Sequence, residues 1–161
     1  MIVYHSQKRK IIVSMIEIKT FTCIYDEKED RIRLAINYQD PVGRVDFMIT
    51  RKFVLKLFPV LEDTYYKHFE NIASSVVAKN SDVNNTKTDD VMFQLSMYRS
   101  ELLHKVDLKF DEKSKSLTLV LYGNEAKASA RMDANSYKSF LKILQTSVPS
   151  FSWGIHNLIC I

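Results

Sequence analysis

Apolar residues recur along this chain with two different periods, and the change of period marks its elements. From residue 31 to 38 they alternate, with Ile32, Leu34, Ile36 and Tyr38 on one side and Arg31, Arg33 and Asn37 on the other, as a half-buried antiparallel strand requires. After a turn punctuated by Pro41 and Gly43, Val45, Phe47 and Ile49 alternate in the same way opposite Arg44, Asp46 and Met48. The spacing then lengthens to that of a helix: Thr50 is placed as an N-cap, and Phe53, Val54, Leu57, Phe58 and Leu61 form one stripe. Pro59 falls inside that stripe, so the helix is expected to kink there or to end and restart near Phe58. Tyr65, Tyr66, Phe69, Ile72, Val76 and Val77 carry the pattern on through residues 62–79.

The same pattern occurs twice. Residues 21–38 read FTCIYDEKEDRIRLAINY and residues 106–123 read VDLKFDEKSKSLTLVLYG, so a shift of 85 positions lays Asp26-Glu27-Lys28 on Asp111-Glu112-Lys113 and Leu34 on Leu119. Phe21, Cys23 and Tyr25 fall on Val106, Leu108 and Phe110, while Ile32, Leu34 and Ile36 fall on Leu117, Leu119 and Leu121, which preserves the inward phase. After a small length difference in the next turn, Arg44 to Leu61 aligns with Lys127 to Leu144, where Asp133 caps a helix bearing Tyr137, Phe140, Leu141 and Leu144. The expected fold is α+β, an internal duplication of an antiparallel three-stranded meander followed by a helix, with an additional central helix. That central helix is capped at Thr88 or Asp89 and carries Val91, Leu95, Tyr98 and Leu102, widened by Met92, Phe93 and Leu103. The halves are expected to share a core of Phe21, Leu34, Phe47, Leu57, Val106, Leu119 and Leu141.

At 161 residues the chain suits a single compact domain. Within it, residues 16–79 form the first repeat, 80–88 a polar linker, 89–148 the central helix plus the second repeat, and 149–161 an apolar tail, with residues 1–14 an extension outside the repeats. The tail, with Phe151, Trp153, Ile155, Leu158 and Ile159, is too apolar to hang in water and is expected to dock on the body or on a second subunit.

Composition removes several function classes. Only 3 Gly and 3 Pro occur, which argues against glycine-rich nucleotide loops, and Cys23 and Cys160 have neither metal-ligand nor disulfide-framework spacing. The apolar run from Ile11 to Ile16, behind Lys8, Arg9 and Lys10, is too short for a signal sequence or a membrane span, so a cytoplasmic protein without membrane contact is expected. His5, His68, His104 and His156 are scattered outside any catalytic or metal motif, and the acidic run Asp26, Glu27, Glu29, Asp30 reads as a hairpin turn rather than a divalent-ion loop. No catalytic residue, cofactor or metal ligand is assigned, and a non-catalytic module is expected.

A formal charge of +4 and a pI near 9.0 bias the chain mildly toward anionic partners. Arg31, Arg33 and Arg44 lie at outward strand positions, and Lys127 with Arg131 occupies the equivalent phase in the second copy; Tyr38 and Tyr122 stand at strand ends. Cations on an open sheet face can follow a phosphate backbone while aromatic rings stack bases, so these five residues are the candidate single-stranded nucleic-acid contacts. The alternative expectation is a protein-interaction or assembly adaptor, homodimer included, that binds no nucleic acid and is anchored by Phe151 and Trp153. Strand-rich units closed by a helix and present twice resemble, in outline, the single-stranded nucleic-acid-binding folds of the Whirly and PUR type, whose units carry four strands where three are placed here.

Overall fold

The computed structural model describes residues 15–40, 42–73 and 100–154. The extension 1–14, the linker 80–88, the central-helix positions 89–99 and the tail beyond 154 lie outside the described residues. The elements run β1 (Met15–Glu17), β2 (Phe21–Asp26), β3 (Arg31–Ile36), β4 (Val45–Thr50), α1 (Arg51–Ala73), β5 (Ser100–Leu102), β6 (Lys105–Asp111), β7 (Ser116–Tyr122), β8 (Lys127–Met132), α2 (Ala134–Ser147) and α3 (Ser150–Trp153). The fold is α+β.

Both expected meanders are present, β2-β3-β4 and β6-β7-β8, each antiparallel throughout. Each sheet, however, has four strands rather than three. The short strand β1, ahead of the first meander, pairs in parallel with β8 of the second, and β5, ahead of the second meander, pairs in parallel with β4 of the first. The sheets therefore share one strand order and exchange their fourth strands. β5 also corrects the expected central helix at its C-terminal end: Leu102 and Leu103, assigned together to one helical face, part company, with Leu102 41% exposed and Leu103 buried. Pairing of Asp46 with Ser100 and Met48 with Leu102, and the Leu103 N–H donated to the Met48 carbonyl at 2.9 Å, satisfy backbone groups along β4 that a helix would leave open.

The exchange is fastened by a side chain at each crossing. Glu101 lies in register with Phe47, and its Oε2 accepts the N–H groups of Glu125 (2.8 Å) and Ala126 (2.9 Å) in the turn between β7 and β8 of the other sheet. Gly123 borders this contact so closely that a Cβ there would collide with Glu101 Oε2 and lie 2.9 Å from Phe47 Cε1. At the other crossing Asn37, expected on the wet side of its strand, is buried with a φ of 51°. Its Oδ1 accepts from the N–H groups of Lys19 (2.8 Å) and Thr20 (3.2 Å), and its Nδ2 donates to the carbonyls of Glu17 (2.8 Å) and Gly43 (3.2 Å). A buried amide is tolerated because both its ends are bonded.

The helices cross over as well. α1 starts beside its own sheet, with the Phe53 N–H donating to Thr50 Oγ1 at 3.3 Å, and buries Val54, Phe58, Leu61, Tyr65 and Phe69 along one stripe. It runs unbroken through Pro59, which sits on the exposed side, where water can serve the carbonyl of Leu55 that the missing N–H would have bonded. Its later turns reach the second sheet, where His68 stacks on Phe110 at 4.2 Å and Phe69 meets the same ring edge-on at 5.3 Å. α2, capped by Asp133 Oδ1 accepting the Ser136 N–H at 2.8 Å, sets Phe140 against Phe21 of the first sheet at 5.2 Å. The helices meet where the Tyr137 hydroxyl donates to the Leu61 carbonyl at 3.0 Å. One continuous core results, in which Leu34, Phe47, Leu119 and Leu141 are buried and Phe21, Leu57 and Val106 pack against its margin.

Candidate nucleic-acid interface

Strand alternation gives the second sheet one face for the core and one for solvent. Leu117, Leu119 and Leu121 of β7 are buried, while Thr118, Val120 and Tyr122 between them are half-buried on the outer side. Cross-strand register lays that outer side out as rows: Lys105, Tyr122, Lys127 and Met15; then Asp107, Val120, Ser129 and Glu17; then Lys109, Thr118 and Arg131. The cations thus stand on β6 and β8, Lys105 with Lys109 and Lys127 with Arg131, each pair ~13 Å apart along its strand at the usual rise per residue. Between these tracks, separated by about two strand spacings or ~10 Å, β7 offers the uncharged Thr118, Val120 and Tyr122.

The ends of this face differ in electrostatics. At one end Lys105 Nζ and Lys127 Nζ lie 4.6 Å and 4.8 Å from the centre of the Tyr122 ring. Lys105 also pairs with Asp107 at 2.8 Å; this hydrogen bond holds the Asp107 carboxyl below its ordinary range, and the same contact raises the Lys105 ammonium. At the other end Arg131 donates from Nε to Ser116 Oγ at 2.7 Å, while its NH2 is 3.6 Å from Asp111, with both side chains more than half exposed. Exposed pairs of this kind are worth little in water, so a polyanion can compete for the same cations.

The corresponding outer face of the first sheet is built differently. Its rows are Thr22, Ala35, Asp46 and Ser100; Ile24, Arg33, Met48 and Leu102; and Asp26, Arg31 and Thr50. Asp46 is 0% exposed and would be costly to bury unpaired. Arg44 supplies Nε at 2.9 Å and NH2 at 3.0 Å to its two oxygens, and Arg33 stands at 3.5 Å from it and at 3.5 Å from Asp26. Arg44 is itself buried. The expected open cationic strand face is thereby corrected for Arg33 and Arg44, whose charge neutralises an internal carboxylate. Arg31 remains at the rim, 3.8 Å from Glu29.

Of the five expected contacts, then, Lys127 and Arg131 share one open face and Arg31, Arg33 and Arg44 belong to the other sheet. Lys105 and Lys109, on the same open face, were not among the expected residues. Their signal was present in β6, where they sit in the phase opposite Val106, Leu108 and Phe110, the alternation that placed Arg31 and Arg33.

The tail's tryptophan is committed to its own chain. Trp153 is 3% exposed, its ring is perpendicular to that of Tyr25 at 5.9 Å, its Nε1 donates to Asp30 Oδ1 at 2.6 Å, and its carbonyl accepts from Arg51 NH2 at 2.6 Å. Trp153, expected to anchor a partner, is thus buried against its own chain; the Phe151 side chain and the tail residues 155–161 lie outside the described residues. Asp30, with a φ of 50°, also accepts from the Tyr25 hydroxyl at 2.7 Å, and these two hydrogen bonds, that of Trp153 first, depress its pKa. Asp26 turns back onto the N–H groups of Lys28 (3.1 Å) and Glu29 (3.2 Å), so the acidic run builds a turn and a latch. Among the described residues no group of three His, Cys, Asp or Glu side chains is placed to hold a metal ion, and no helix is long and apolar enough to cross a membrane. Burial pushes the Cys23 thiol up to about 12, against a weaker opposing hydrogen bond from Ser147, which keeps it protonated and unreactive.

No protein-family model matches the chain, and no curated protein or solved structure is significantly similar to it. The functional reading rests on the geometry of the open sheet face.

Proposed function

We propose that this protein is a non-catalytic module that binds single-stranded nucleic acid across the outer face of the β1-β8-β7-β6 sheet. The observation that carries the reading is the pair of cationic tracks, Lys105 and Lys109 on β6 and Lys127 and Arg131 on β8, flanking an uncharged middle strand that ends in Tyr122. Phosphates would follow the tracks and bases would lie over β7, the division of labour that sequence-tolerant single-strand binders use. The second sheet leaves open the kind of cation that the first turns onto Asp46, so binding is expected on the second sheet's face alone, where the sequence placed candidate contacts in both copies. We further infer that the two halves are copies of one unit whose outer faces have diverged, the first toward internal neutralisation and the second toward an open surface.

Titration of a fluorescently labelled oligothymidylate followed by anisotropy at low ionic strength tests the proposal. Arg131→Ala, Lys127→Ala and Lys109→Ala should each weaken binding without lowering the melting temperature. Affinity should fall as salt rises, with a slope of about 0.7 per phosphate neutralised. Absence of binding to single-stranded DNA and RNA at low ionic strength would overturn it.

A further inference from the structure

The proposed face already holds an anion of its own. On the β6 track Asp107 stands between Lys105 and Lys109, all three on the outer side, and its Oδ2 lies 2.8 Å from Lys105 Nζ. The Lys105 ammonium also lies 4.6 Å from the centre of the Tyr122 ring. Lys127 Nζ lies 4.8 Å from the centre of the same ring, which places two ammonium groups and one carboxylate at this end of the face. A carboxylate presents negatively charged, acceptor-only oxygens, as a phosphodiester does, and the Lys105 ammonium offers the donors that either would take. The Lys105 and Asp107 side chains are 55% and 44% exposed, so their pairing is screened by water and a stronger polyanion can break it. At the opposite corner Asp111 is farther from Arg131, at 3.6 Å, and Arg131 is shared with Ser116, so the tighter internal pairing lies on β6.

We infer that Asp107 stands, in the free protein, where a phosphate of bound single-stranded nucleic acid sits, and that ligand binding displaces it from Lys105. The inference rests on the reading of this sheet face as the nucleic-acid interface. Asp107 is then an internal competitor, and removing its charge should strengthen binding.

The test compares four proteins, wild type, Asp107→Asn, Lys105→Met and the double variant, in anisotropy titrations of labelled oligothymidylate across a salt series, with Glu112→Gln as a fifth. Glu112 is an exposed carboxylate in the β6–β7 turn, paired with Lys115 at 3.0 Å, so its neutralisation changes the net charge equally while leaving the face untouched. Asp107→Asn should tighten binding several-fold and steepen the salt slope by about 0.7, as one further phosphate contact would. Glu112→Gln should do neither, and the gain from Asp107→Asn should vanish when Lys105 is Met. A thermal melt and circular dichroism confirm that each variant folds; should Asp107→Asn not fold, Asp107→Ser carries the same expectation. Binding by Asp107→Asn that equals wild type, or an equal gain from Glu112→Gln, overturns the displacement while leaving the interface standing. Failure of wild type and Asp107→Asn alike to bind overturns both.

Discussion

Replacing Gly123 by Ala should destabilise the protein through one identifiable contact. The φ of Gly123 lies outside the left-handed region, so its backbone is open to any residue, and on chain entropy alone alanine should stabilise the fold by about 0.4–1 kcal/mol. Sterics reverse the sign: the new methyl would collide with Glu101 Oε2 and lie 2.9 Å from Phe47 Cε1, and overpacking of this kind costs about 1–3 kcal/mol. Phe47 is fully buried and cannot retreat, and Glu101 can retreat only by giving up the N–H groups of Glu125 and Ala126. A net loss of about 1–2 kcal/mol follows from these opposing terms. Glu101→Ala should itself cost about 1.5–3 kcal/mol, the usual worth of hydrogen bonds to a charged group. The decisive measurement is the double-mutant cycle in urea. With the Glu101 carboxylate removed, the methyl still meets Phe47 and the Cβ of residue 101, 3.2 Å away, but no longer the carboxylate oxygen, so the cost of Gly123→Ala should shrink and the coupling should reach about 1 kcal/mol. A Gly123→Ala variant as stable as wild type, or strictly additive effects, would show that Glu101 does not fasten the two sheets at this turn.

The chain's one tryptophan gives a second readout, because Trp153 is buried through its bond to Asp30. Asp30 has a folded pKa below its ordinary 3.8, so its contribution is complete above that value and is lost only as pH falls through the lower folded value. Trp153 emission should therefore stay blue-shifted from neutral pH down to about pH 4 and shift red in more acidic solution, while Asp30→Asn should be shifted red already at pH 7; identical spectra for the two proteins at pH 7 would contradict the latch. Leu34→Ala and Leu119→Ala, at corresponding inner strands of the two sheets, should each cost about 2–5 kcal/mol in denaturant melts, and a neutral result for either would mean that its burial does not support the core.

Alternation made most of the strand architecture legible. Ile32, Leu34 and Ile36, and likewise Leu117, Leu119 and Leu121, face inward as their period requires, and Thr50 and Asp133 cap the helices they precede. The exchanged strands were invisible for a physical reason: β1 and β5 are three residues long, too short for any period to register, and only a partner far along the chain makes them strands. Local spacing consequently assigned Leu102 to a helix. The candidate site was half legible. Outward phase identified Lys127 and Arg131 correctly as sharing an open face, yet phase alone does not reveal whether a neighbouring carboxylate claims the cation. Arg44 and Asp46 lie two apart on one strand face, and the arginine turns to the buried carboxylate rather than to solvent.

The exchange of fourth strands also governs how the chain comes into being. While the first half is being synthesised, the edge of β4 that will receive β5 is bare and β1 has no β8 to join, so neither half can close its sheet before the other exists. Folding must wait for contacts between distant segments, whose loop-closure cost slows the reaction and leaves an unpaired, apolar-backed edge exposed in the interval. A truncated first half is accordingly an aggregation hazard rather than a small domain.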